Sequence, residues 1–166
     1  PFRPGARPVP ASRDEAVDHP ASQLAELQPF GRPPGTTEAD WQALQLDAAS
    51  LSERAARDRL AAAGKSAWPA ILNRMIRLDL EKPEDNRTGL LAADALDRAR
   101  GGSTGRSFDW RSAQDASIGN LRPKDLYFNT RLVTLLHAAW TRVLEEPEHW
   151  QKFDKTDTGA PRGEPR

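Results

Sequence analysis

The pattern of apolar and polar positions divides the chain into a polar, proline-punctuated start, a helical middle and a short polar end. Through the middle, large apolar residues recur every three or four positions, the spacing that lines one face of an α-helix. Proline is tolerated in the first turn of a helix or just before it, so the prolines of this middle mark helix starts. The spacing predicts a first helix over 37–46, opened by Thr37 with Glu38 and Asp40 near its positive end and carrying Trp41, Leu44 and Leu46. A second opens at Ser50-Leu51-Ser52-Glu53, a capping-box spacing, runs through Ala56, Leu60 and Ala63, and stops at Gly64. A third, capped by Ser66 with Pro69 in its first turn, carries Trp68, Ile71, Leu72, Met75 and Ile76 and ends near Leu80. A fourth follows Pro83 with Asn86 or Thr88 as its cap. It repeats Leu91, Ala92, Ala95, Leu96 and Ala99 before Gly101-Gly102 ends it. Pro123 introduces the longest, to about Glu146, with Phe128, Leu132, Leu135, Leu136, Ala139, Trp140 and Val143 as its expected buried stripe. Pro147 then starts a last turn or two with Trp150 and Phe153. No run alternates with period two, so the expected fold is all-α: four to six helices as packed α-hairpins, with extended Pro-rich tails.

Composition sets the outer bounds of that body. With 37% hydrophobic residues and a mean hydropathy of -0.72, the 166 residues cannot all join one core. More than half of the 14 prolines fall in residues 1–35, a Pro/Arg-rich stretch that reads as an extended tail or linker in which only Leu24, Leu27 and Phe30 offer an anchor. The helical domain is therefore expected over 36–155, with 156–166 as a disordered C-terminal tail. Inside the domain, 101–122 is a loop far longer than the few residues that usually join packed helices; such loops are functional or loosely ordered, and the apolar bulk of Phe108 and Trp110 is expected to pin this one against the helices.

Charge argues about partners. Basic and acidic residues balance at 24 each, and no segment carries an excess, so neither the phosphates of nucleic acid nor an anionic membrane is a favoured partner. No apolar run is long enough to span a bilayer directly. The absence of cysteine excludes disulfides, thiolate catalysis and Cys-based metal sites. The compartment is not fixed by the sequence; a chain starting at Pro1 reads as a fragment or a processed mature chain, which favours an extracytoplasmic place, with a leader removed, over a cytoplasmic one.

The stretch from Arg59 to Leu72, Arg-Leu-Ala-Ala-Ala-Gly-Lys-Ser-Ala-Trp-Pro-Ala-Ile-Leu, resembles the hairpin of HEAT-type helical repeats: an Ala/Leu helix, a Gly turn, then Ala-x-Pro-Ala-Leu-Leu-like residues opening the next helix. The likeness covers about residues 50–80. Thr104 to Trp110 and the helix containing Ala138-Ala139-Trp140 resemble the C-terminal part of HEAT-like bacterial proteins. What the resemblance implies is protein binding on a helical scaffold; the alternative arrangement of the same helices is an irregular bundle.

Candidate chemistry is sparse. Gly101-Gly102-Ser103-Thr104-Gly105-Arg106-Ser107 could wrap an anion, but it follows a helix, lacks the phosphate-loop separation and has Arg for Lys, so it reads as a helix end and a loop. His19, His137 and His149 show no metal-ligand spacing, and His137 sits at the edge of an apolar stripe, as a half-buried helix histidine does. Glu84-Asp85 and Glu145-Glu146 stand at helix ends, where solvated charge is ordinary. No catalytic residue, metal site or cofactor is expected. Arg106, Phe108, Trp110 and Arg111, an Arg/aromatic group in the long loop, are the candidate binding residues, because such residues dominate protein contacts.

The expectation is thus a non-enzymatic interaction or accessory subunit of a larger assembly, docking on another protein through its N-terminal tail and the 101–122 loop. Two alternatives stay open: a small-molecule or enzymatic domain with a pocket between helices and Arg106 or His137 as polar handle, or a structural spacer.

Overall fold

Three helix starts fall on prolines, as the missing N–H and fixed φ of that residue require: Pro69, Pro83 and Pro123 each occupy the first turn of a helix. The computed structural model describes residues 24–102, 107–112 and 122–155, and they form an all-α fold. Its helices are α1 (Glu38–Ala49), α2 (Arg54–Ala63), α3 (Trp68–Met75), α4 (Pro83–Ala99) and α5 (Pro123–Glu145). Short 3-10 segments at Gly64–Ala67, Ser107–Asp109 and Pro147–Lys152 connect or extend them, and no strand occurs among the described residues.

Several boundaries differ from the expected ones, each for a local reason. The serines expected to open the second helix do not: Ser50 closes α1, its N–H donating to the Asp47 carbonyl, and α2 starts at Arg54. The third helix stops at Met75, and Leu78 and Leu80 reach the core from the turns that follow. Lys82 takes the cap position of α4, so Asn86 and Thr88 lie inside the helix. Its end is the expected one: Gly101 takes φ +84°, its N–H donates to the Arg98 carbonyl, and the Gly102 N–H donates to that of Asp97 at 2.8 Å.

Helix α4 lies centrally, with α2 and α3 packed on it, α1 across both of these, and α5 against α3. The densest part is aromatic. Trp68, fully buried, meets Trp150 edge-on at 5.1 Å and Trp140 at 6.2 Å, and its indole N–H donates to the Leu96 carbonyl.

Two findings move the domain edge and the face of α5. Residues 24–35, expected as part of an extended tail or linker, pack on the domain through three side chains: Leu24 is 1% exposed, and Leu27 and Phe30, half-buried, rest on the same cluster. Pro33-Pro34-Gly35-Thr36 then turns the chain into α1, with Gly35 at φ +82° and the Thr36 N–H on the Pro33 carbonyl. Along α5 the buried set is Asp125, Asn129, Thr130, Val133, Leu136, Trp140 and Val143. The expected stripe is therefore rotated: Asn129 faces inward, where its amide meets the Arg111 backbone, Asp125 is buried beside it, and Leu135 is left 52% exposed.

Candidate functional site

The loop between α4 and α5 is held by its own aromatic and amide groups. Phe108 and Asp109 both adopt left-handed backbone (φ 58° and 60°), a conformation costly for side chains with a Cβ. Packing holds the turn. The Phe108 ring meets Trp68 edge-on at 6.1 Å and lies under the Arg100 guanidinium at 4.3 Å. Arg100 is in turn paired with Asp97, 4% exposed, at 2.6 Å.

Trp110, a candidate both for pinning the loop on the helices and for a contact surface, is part of the core, 7% exposed. Its ring fills the notch left by Gly89 on α4, where a Cβ would stand 2.2 Å from the ring. The bulk that suggested a hot spot serves to seat the loop.

Arg111 follows with the opposite arrangement, backbone fixed and side chain outside. Its N–H donates to the Asn129 Oδ1 at 2.9 Å, and its carbonyl accepts from Asn129 Nδ2 at 2.7 Å and from Asn86 Nδ2 at 3.2 Å. The guanidinium lies 4.6 Å from the centre of the Phe128 ring on α5, and the residue is exposed. Arg106, the fourth candidate, lies outside the described residues.

The N-terminal segment is clasped in the same manner. Asn73, on α3, accepts from the Phe30 N–H at 2.6 Å and donates to its carbonyl at 2.8 Å. On the far side His137 stacks on the Phe30 ring at 4.4 Å, and its Nε2 meets the Gln28 carbonyl at 2.7 Å, which makes that nitrogen the donor. His137 therefore holds the strap in place. The nearby slot of about 180 Å³, between Pro33, Lys65, Trp140 and Pro147, does not include it.

What α5 turns outward is the third feature. Lys124, Phe128, Arg131, Leu135, Ala138 and Arg142 recur at spacings of three and four, so they form one continuous stripe, exposed except at half-buried Phe128. Beside its C-terminal half runs a shallow groove of about 300 Å³ whose floor is Leu135, Ala138, Ala139 and Phe153 and whose rim is Arg142, His149 and Lys152. From Lys124 to Arg142 the stripe carries cations and apolar groups: Asp125 lies on the buried side, paired with Arg122 at 2.9 Å, and exposed Glu145 stands one turn beyond its end. Loop Arg111, on Phe128, extends the stripe at its N-terminal end.

The clearest electrostatic perturbations lie elsewhere, at exposed pairs. The hydrogen bond from Arg98, at 2.8 Å, holds the Asp58 carboxyl below its ordinary value, and Asp47 raises Arg59. Among the described residues no three His, Asp or Glu side chains gather as metal ligands do, and no helix is long and apolar enough to cross a membrane.

No family model matches the chain, and neither a curated protein nor a solved structure matches it. Sequence reasoning did not find Asn73, Asn86, Asn129, Arg131, Arg142 or Lys152. The alternation of cation and apolar residue along 124–142 was the available signal, hidden because Leu135 was assigned to the core.

Proposed function

We propose that this chain is a non-enzymatic protein-interaction domain, an accessory subunit of a larger assembly, docking through the outward face of α5 together with Arg111. The observation that carries this reading is the exposed stripe with Arg111 fixed at its end. An arginine whose backbone is bonded on both sides and whose side chain lies on an aromatic ring loses little freedom on binding, so more of its contact energy reaches affinity. Leu135, 52% exposed in the middle of the stripe, supplies apolar surface for a partner to cover.

The resemblance of residues 50–80 to HEAT-type hairpins, with the protein binding it implies, belongs to the same proposal. So does docking by the Pro/Arg-rich segment ahead of Leu24. Within the 101–122 loop, Arg111 supports the reading, whereas Phe108 and Trp110 are spent on seating the loop.

The test is capture of partners from the cells that make the chain, using the full chain and three variants. Leu135→Asp and Arg111→Glu should lose the partner, while Leu46→Asp, on still more exposed apolar surface of α1, should keep it. A partner held equally by all four would end the proposal.

A further inference from the structure

We infer that the segment docking on α5 is an acidic amphipathic helix of a partner protein; this rests on the docking reading above and names its chemistry. Arg131, Leu135, Ala138 and Arg142 stand at i, i+4, i+7 and i+11, a cation at each end and two apolar residues between. At 1.5 Å rise per residue the arginines are about 16 Å apart along the axis, three turns of helix. Ala138 leaves a low point at which another helix can approach closely, and the groove beside it provides an apolar floor ending in Phe153.

Charge selects the occupant. Arg131 and Lys152 have no ion pair among the described residues, and Arg142 directs its Nε at the His149 ring, whose Nε2 also meets the Glu146 carboxylate just past the C-terminal end of α5. The surface is thus positive along its length with an apolar centre, and its complement is a helix with carboxylates 11 residues apart flanking two apolar positions. That pattern reads the same in both directions, so charge fixes the register and leaves the orientation free.

A second copy of this chain does not fit. Arg131 and Arg142 stand equally far from the midpoint between Leu135 and Ala138, so an antiparallel pairing of two α5 stripes about that midpoint sets each Arg131 against the other copy's Arg142. A parallel pairing sets each arginine against itself. Either way like charges meet across the contact. An anionic lipid surface would meet the cations but would find little to insert, since the exposed apolar width of the stripe is one leucine and one alanine between charges.

The experiment uses the full chain and two labelled 18-residue helical peptides with Leu at i+4 and i+7. One carries Glu at i and i+11, the other Lys at those positions. Anisotropy should show the Glu peptide binding at least about tenfold more tightly than the Lys peptide at low salt, as expected for two exposed charge pairs. The preference should shrink at 0.5 M salt as screening shortens. Amide shifts on the labelled chain should fall along 131–142, and the exposed double variant Arg131→Glu/Arg142→Glu should reverse the preference. Equal binding of the two peptides, shifts elsewhere on the chain, or binding to anionic vesicles with no peptide preference would each overturn the assignment. If Leu135→Asp loses its cellular partner while the peptides show no preference, the docking reading stands and the acidic helix falls. If that variant keeps its partner as well, both fall.

Discussion

Asn73 holds Phe30 by both of its backbone polar atoms, accepting from the N–H at 2.6 Å and donating to the carbonyl at 2.8 Å across 43 residues of sequence. A primary amide is the one side chain that can satisfy a backbone donor and acceptor at once in this way, much as a neighbouring strand would. The N-terminal strap thus acquires a fixed register on α3 at Phe30, a residue that lies in no helix.

Removing that amide leaves the Phe30 N–H and carbonyl without their partner in a half-buried place. Asn73→Ala should destabilise the chain by about 2–3 kcal/mol, the cost of two stranded backbone groups. Limited proteolysis should then cut between Gln28 and Gly31 well before the body is attacked. Unchanged stability and an uncut strap would mean that the apolar anchors Leu24, Leu27 and Phe30 and the His137 contacts hold the segment without the amide.

Gly89 makes the complementary prediction on the other loop. A Cβ there would stand 2.2 Å from the Trp110 ring, so Gly89→Ala forces the indole out of its notch. Overpacking of this kind costs about 1–3 kcal/mol. Pairing it with Trp110→Leu should cost less than the sum of the two single changes, because the smaller side chain relieves the clash. Additive losses in denaturant unfolding would show that the two residues are not coupled.

Asp58 should add a small, solvent-screened contribution to acid sensitivity. Arg98, through its hydrogen bond and then its charge, keeps this carboxyl below the ordinary value of 3.8. The folded form therefore prefers the carboxylate more than the unfolded chain does. The Asp58 contribution is complete above about pH 4 and is lost as pH falls through the lowered value. Carbon NMR titration should place the Asp58 midpoint below 3.8 in the native chain and nearer 3.8 in Arg98→Met. A midpoint unmoved by that change would exclude Arg98 as the cause.

Helix content was legible because prolines and apolar spacing are local signals, and Pro69, Pro83, Pro123 and Pro147 stand where that logic puts them. The turn at Gly101 was legible for the same reason. What escaped was tertiary. Residues 24–35 carry too little apolar bulk to predict burial, yet Asn73 and His137, distant in sequence, supply the polar partners that make their docking possible. In α5 the apolar pattern alone assigned Leu135 inward. Leu135 lies at the outer edge of that stripe, while Asn129, on the side of Leu136 and Trp140, turns inward because the loop backbone at Arg111 meets its amide. For Trp110 the sequence left two readings, a pin for the loop or a contact residue: whether a loop tryptophan faces out depends on a notch, here Gly89, that only the packed helices reveal.

The central claim, that a protein partner covers the outward face of α5, is tested most directly by photo-crosslinking in the cells that make the chain. A photoreactive residue placed at position 135 is compared with one at position 46, where Leu46 is 69% exposed against 52% for Leu135. The account predicts a discrete crosslinked partner from position 135 and none from position 46, although the latter is the more accessible. Equal crosslinking from both, or a product from position 46 alone, would contradict it.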